Sequence, residues 1–135
     1  MSGLLRFHID MEPESRWNIP TVDPATRASF LYVQEAGDFR CKRGYFTTRE
    51  GLDSYLLKLT LSGQGVLEYS GSTYTLQPGD FFWIHCAQRQ HYHTDPTVGK
   101  WHNLWVHFWG ANADAYYHAF LQANQGSPVC HFPDR

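Results

Sequence analysis

The sequence predicts an all-β domain built from about eight short strands, closed by one amphipathic helix near its C-terminus. Two features of the text carry that expectation. Between Phe30 and Phe108, short β-branched or aromatic runs alternate with glycine-containing turns, and after Gly110 the apolar period changes from that of a strand to that of a helix. Size and composition agree with a single core: 135 residues are 42% hydrophobic and 16% aromatic, with 18% charged, which excludes a disordered chain.

In chain order, residues 1–29 hold Pro13, Pro20 and Pro24 among mixed charges with no sustained period. They read as an irregular N-terminal arm with Phe7 and Trp17 as its aromatic anchors. Residues 30–110 read as the barrel. Its expected strands are Phe30 to Gln34, Arg40 to Thr47, Tyr55 to Leu61, Val66 to Tyr69, Thr73 to Leu76, Phe81 to His85, Gln90 to Thr94 and Trp101 to Trp109. Ser70-Gly71 and Pro78-Gly79-Asp80 supply turns, because proline presets φ and glycine accepts a positive one. Residues 111–135 read as a helix and the start of a linker. Ala113, Tyr116, Tyr117, Phe120 and Leu121 form its apolar stripe, Asn112 is the expected N-cap, and Gly126-Ser127-Pro128 ends it.

Charge and cysteine usage narrow the function classes. Eleven Lys and Arg against thirteen Asp and Glu give a net charge of -2, without the basic excess of a nucleic-acid-binding module. No apolar run approaches the roughly 20 residues needed to span a bilayer, and Arg6, His8 and Asp10 interrupt any signal-peptide core. Cys41, Cys86 and Cys130 form no CxxC pair, as expected of reduced thiols. The expected compartment is the cytoplasm, with no membrane partner.

Three features could carry chemistry. His91 and His93 lie two apart on one face of an expected strand, which could place two imidazoles on one metal. No Asp or Glu stands at a matching position of a neighbouring expected strand, so no metal is predicted. In the run Trp101 to Phe108, alternation sends Trp101, Asn103, Trp105 and His107 to one face and His102, Leu104, Val106 and Phe108 to the other. The first face mixes aromatic planes with hydrogen-bonding heads, which suits either a small polyhydroxylated ligand or an aromatic core with satisfied polar tips. The second face should lie under the helix, through Val106 and Phe108. Arg49, ahead of the Gly51 turn, offers five donors to a ligand or stands as a solvated surface charge. A GxSxG nucleophile elbow, paired carboxylates and a phosphate-binding glycine loop are all missing from the text, so catalysis is not expected.

The order of motifs is specific where single motifs are not. The run Tyr55 to Gly65, then Tyr74-Thr75-Leu76-Gln77-Pro78-Gly79-Asp80, then His91-Tyr92, then Trp101 and Trp105-Val106-His107-Phe108-Trp109-Gly110, resembles the N-terminal effector-binding and dimerisation domain of AraC-family transcription regulators. The resemblance spans roughly Arg49 to Leu121. It implies a cupin-like jelly-roll barrel that binds a small effector, often a sugar, with an arm that closes over the ligand. It also implies DNA binding through a C-terminal domain absent from this chain, homodimerisation of the full regulator, no cofactor and no catalytic turnover.

By motif position the family's ligand contacts fall on Arg49, Tyr92, Asn103 and Trp105, with His107 as a fifth member on the same face. The family's arabinose-binding member has His where this chain has Asn103. The competing reading is a metal-dependent cupin enzyme, an isomerase or dioxygenase. Of that superfamily's metal ligands only His91 finds a counterpart, since Tyr55 to Gly63 supplies neither His nor Glu.

Overall fold

The computed structural model describes residues 3–132. Eleven strands and two helices follow in the order β1 (Leu4–His8), β2 (Arg16–Asn18), α1 (Pro24–Ser29), β3 (Leu31–Lys42), β4 (Phe46–Glu50), β5 (Tyr55–Gly63), β6 (Gly65–Tyr69), β7 (Ser72–Leu76), β8 (Asp80–His85), β9 (Gln90–Thr94), β10 (Lys100–Gly110), α2 (Ala113–Ala123) and β11 (Val129–His131). They build a five-stranded sheet in the order β1-β4-β9-β6-β7 and a six-stranded sheet in the order β11-β8-β5-β10-β3-β2. Every pairing is antiparallel. The fold is a jelly-roll of the cupin type, as the sequence predicts. None of the helices among the described residues is long and apolar enough to cross a membrane.

Inward-facing side chains of both sheets make the main core, with Leu56, Leu67, Phe82, Ile84 and Trp101 fully buried. A second cluster, around Tyr55, Ala113 and Tyr117, fills the space between the outer face of the six-stranded sheet and α2. Phe108 joins that cluster as expected, but Val106 does not. The eleven-residue helix covers only the Phe108 end of β10, and Val106 lines a shallow apolar groove beside Leu31 and Val33.

Three expectations need correction. The arm is not irregular: β1 adds to the edge of β4, β2 adds to β3, and Asp23 caps α1 through a bond from the Thr26 amide to its side chain. Edge pairing gives these short segments the backbone partners that their own period does not announce. Secondly, Leu31 to Lys42 forms one strand running through Ala36-Gly37-Asp38, and the reversal comes at Arg43-Gly44. Gly37 is there for close packing rather than for a turn, because a Cβ on it would lie 2.4 Å from the Trp105 ring. Thirdly, the segment after α2 returns as β11 along β8 instead of leading straight into a linker. The helix does begin after Asn112, which takes a left-handed φ of 63° and makes no side-chain cap bond. Its end is closed by the Gly126 amide bonding back to the Leu121 carbonyl at 2.7 Å.

Candidate functional site

Between the two sheets a cavity of about 260 Å³ opens toward the N-terminal arm. Four of the five residues singled out from the sequence line it: Arg49 from β4, Tyr92 from β9, and Trp105 and His107 from β10. Leu5, Phe7 and Trp17 of the arm complete its wall. Trp17 packs edge-on against Phe39 and Trp105, and both Phe7 and Trp17 stay about half exposed at the rim.

Strand pairing explains the convergence. Arg49 lies opposite Gln90 in the β4–β9 ladder, and Thr47 lies opposite Tyr92, so alternate residues of both strands face inward. Arg49 Nη1 donates to Gln90 Oε1 at 3.1 Å and to Tyr92 Oη at 3.3 Å. Gln90 is fully buried, and its own Nε2 donates to the Cys86 carbonyl at 3.3 Å, so it holds the guanidinium in place. Arg49 is thus a half-buried, fixed cation rather than a solvated one. Gln90 is a positioning residue that alternation along β9 already placed on the Tyr92 face.

Trp105 packs edge-on against Phe39 at 4.9 Å and lies 5.6 Å from the His107 ring, centroid to centroid. His107 Nδ1 lies 2.7 Å from Ser54 Oγ, and the Ser54 hydroxyl donates to the Tyr55 carbonyl at 3.2 Å. With the serine proton committed there, Nδ1 is the donor and Nε2 remains as an acceptor. Burial, with Arg49 and Lys58 adding to it, pushes the imidazole down to about 2, so the ring is neutral at physiological pH.

Asn103 departs from the expectation. It is fully buried on the same face of β10 but does not line the cavity: its Nδ2 points at Cys41 Sγ, 3.7 Å away, and its Oδ1 has no hydrogen-bond partner. Alternation fixes which face a residue takes, but not how far along the strand the cavity reaches.

Sequence reasoning missed Lys58. It lies on β5 between Trp105 of β10 and Phe82 of β8, is 2% exposed, and lines the cavity. Its Nζ lies 4.6 Å from the Tyr92 ring centroid, 5.3 Å from Trp101, 5.5 Å from Tyr45 and 5.7 Å from both Phe39 and Trp105. One hydrogen bond, to Tyr45 Oη at 3.4 Å, accompanies these contacts. The available signal was one lysine inside the run Leu56-Leu57-Lys58-Leu59, ordinarily read as a solvent-facing position between core leucines. The observed register is the reverse: Leu56, Lys58 and Thr60 are buried inward, while Leu61 is exposed.

The histidine pair lies elsewhere. His91 and His93 occupy the outer face of β9, and Glu68 of β6 stands directly opposite His91. The three offer ligand atoms within 4.8 Å of one another, which corrects the expectation that no carboxylate matches them. Register between β6 and β9 is non-local, so the strand text alone did not pair Glu68 with His91. Thr48 Oγ1 lies 2.7 Å from His91 Nδ1, and His93 Nδ1 donates to the Thr94 carbonyl at 2.8 Å. His93 therefore keeps Nε2 free for a cation. The shared depression also holds Arg6, Arg43 and Arg89, and it is not the interior cavity.

Comparison with known proteins identifies the family and the fold. Residues 32–133 match the family model described as the AraC-like ligand binding domain. The Arabinose operon regulatory protein of Escherichia coli (strain K12) is 34% identical over 71 residues, covering 53% of this chain and 23% of that protein. Its counterpart from Salmonella typhimurium is 33% identical over 58 residues, covering 43% and 21%. The chain thus matches less than a quarter of these relatives' length. A solved cupin superfamily protein from Desulfitobacterium hafniense superposes with a TM-score of 0.50 at 16% identity, over 70% of this chain and 77% of that one, and speaks for the fold. An arm strand laid on the barrel edge, a cavity between the sheets and a family match over most of the chain lead to one assignment: the chain belongs to the AraC-like ligand-binding domains.

Proposed function

We propose that this domain senses a small polyhydroxylated effector, held in the cavity between the sheets, and does not turn it over. Trp105 offers an apolar platform, Arg49 and Tyr92 offer donors, and His107 offers an acceptor nitrogen. The observation that carries the reading is the convergence of these four side chains on one 260 Å³ cavity whose wall is completed by the arm. A cavity of that size takes a sugar-sized molecule rather than a drug-sized one. Because Leu5, Phe7 and Trp17 belong to that wall, an effector touching them has differential affinity for arm arrangements, which is what a switch requires.

Control of transcription is the part of this proposal that rests on the family alone. DNA would be contacted by a separate domain of a homodimeric cytoplasmic regulator, because a chain of net charge -2 lacks the basic surface for it. The metal-dependent enzyme reading has less support. His107 and Glu35 are the histidine and carboxylate that line the cavity, and among the described residues the three-ligand cluster is Glu68-His91-His93 on the outer face.

Calorimetric titration with neutral sugars and their oxidised or phosphorylated derivatives, on wild type and Arg49→Ala, tests the proposal. A ligand of the cavity loses roughly 10- to 100-fold in affinity in the variant. Unchanged affinity would place the ligand elsewhere.

A further inference from the structure

Lys58 is a cation enclosed without a carboxylate. The ion pairs among the described residues are Arg89–Glu50, His102–Asp38 and His131–Asp80, none of which involves the cavity's two cations. Arg49 is bonded to a neutral amide and a phenol. The carboxylate in the cavity wall, Glu35, takes a bond from Trp17 Nε1 at 3.2 Å and forms no ion pair with Lys58 or Arg49. An ammonium removed from water with one hydrogen bond is costly, and a leucine or methionine would fill the same space without that cost. The faces of five aromatic rings offset part of it. They leave the other two ammonium hydrogens without a partner.

We propose that the effector is a carboxylate-bearing sugar, an aldonate or uronate, whose acid group lodges at Lys58 and Arg49 on either side of Tyr92. This rests on the cavity being the effector site and adds the ligand's charge to it. Tyr92 links the two cations: its hydroxyl accepts from Arg49 and its ring lies under the Lys58 ammonium. Trp105, opposite Lys58 in the β5–β10 ladder, lies under the remainder of the sugar. Guanidinium and ammonium together satisfy both carboxylate oxygens, which a neutral hydroxyl cannot exploit to the same degree.

The surroundings of Lys58 add an independent readout. Burial pushes its ammonium down to about 7. The titratable groups facing it are Cys41 of β3, Tyr45 before β4, Arg49 of β4, Cys86 after β8, Tyr92 of β9 and His107 of β10. Burial raises both thiols to about 11 and lowers His107 to about 2, so neither thiol nor imidazole changes charge near neutrality. Arg49 stays charged throughout. An arriving carboxylate favours the ammonium, so binding above pH 7 draws a proton from solvent onto Nζ.

The experiment uses matched pairs: L-arabinose with L-arabinonate, D-galactose with D-galactonate and D-galacturonate, and D-glucose with D-gluconate and D-glucuronate. Each is titrated calorimetrically at pH 8 in Tris and in HEPES, with the 6-phosphates of galactose and glucose as a further arm. At least one acid is expected to bind about 10- to 100-fold tighter than its parent sugar, with uptake of up to about one proton read from the buffer difference. Lys58→Met, a shape-conserving change expected to fold, loses both the preference and the uptake. A neutral sugar binding as tightly as its acid, with no proton uptake, overturns the charge assignment and leaves the cavity as the effector site. Tighter binding of the phosphates overturns the choice of carboxylate. Binding of no member of the panel overturns both readings. The wild-type proton count stands even if Lys58→Met misfolds.

Discussion

Consecutive residues of β9 enter two unlike environments. Gln90, Tyr92 and Thr94 point between the sheets and are buried, while His91 and His93 point outward and are half exposed. Inside, Tyr92 meets two cations that have no carboxylate partner, in a space walled by aromatic rings. Outside, the histidines meet Glu68 in a depression shared with three arginines. Water solvates the outer group, whereas in the proposed complex a ligand carboxylate would do so for the inner one. The histidines are the conspicuous residues in the text, yet the proposed effector site lies on the other face of the same strand.

The largest break in this contrast comes from removing the inner platform. Trp105→Ala is expected to cost roughly 3 to 5 kcal/mol of stability, because it opens a cavity beside Phe39, and to abolish effector binding. Denaturant unfolding and titration at low temperature separate the two effects. Arg49→Ala should leave a folded domain whose effector affinity falls by roughly 1.5 to 3 kcal/mol, the value of a hydrogen bond to a charged group. A titration in which Arg49→Ala matches wild type would reduce Arg49 to a structural partner of Gln90.

The pH dependence of stability sharpens the comparison further. The folded-state pKa of Lys58 lies near 7, below that of the unfolded chain, so the unfolded state holds more protons above that pH. Stability contributed by this group is therefore present above the unfolded value of 10.5 and is lost progressively as pH falls from there to 7, by at most about 1.4 kcal/mol per pH unit. Lys58→Met should remove that slope and be neutral or stabilising at pH 7, measured by denaturant midpoints across the range. His107 acts on the acid side. Its pKa is lowered from 6.5 to about 2, so its contribution is present above the unfolded value and lost as pH falls below it. His107→Phe should flatten the acid limb of the stability profile.

The smallest effects belong outside. Glu68→Gln should change stability by no more than about 0.5 kcal/mol, as usual for surface positions. It should change effector affinity less than twofold, and a chelator should leave effector binding unaltered. A larger effect of either would tie the outer cluster to the cavity across β9.

Periodicity settled much of this protein by itself. Period-two runs place β5 to β10 within a residue or two of their observed ends, and the stripe from Ala113 to Leu121 defines α2. Alternation along one strand was enough to put Trp105 and His107 on the inner face with Trp101. Motif order added Tyr92, and for Arg49 it favoured a ligand contact over the solvated surface charge that the local text left equally open. The arm was illegible because β1 and β2 are strands only by virtue of the edges they join. The continuity of β3 through Gly37 was hidden because the Trp105 ring that packs on that glycine lies 68 residues away in the text.

What only the tertiary structure decided is register and depth. Whether Lys58 or its flanking leucines face the core depends on how β5 pairs with β8 and β10, and a one-residue difference inverts the answer. Whether Asn103 reaches the cavity depends on where the aromatic packing ends above it, and whether Glu68 meets His91 depends on the β6–β9 ladder. Each of these is a contact between residues distant in sequence. A strand's own text specifies its two faces, but only the partner strands fix which face is buried and what lies opposite each residue.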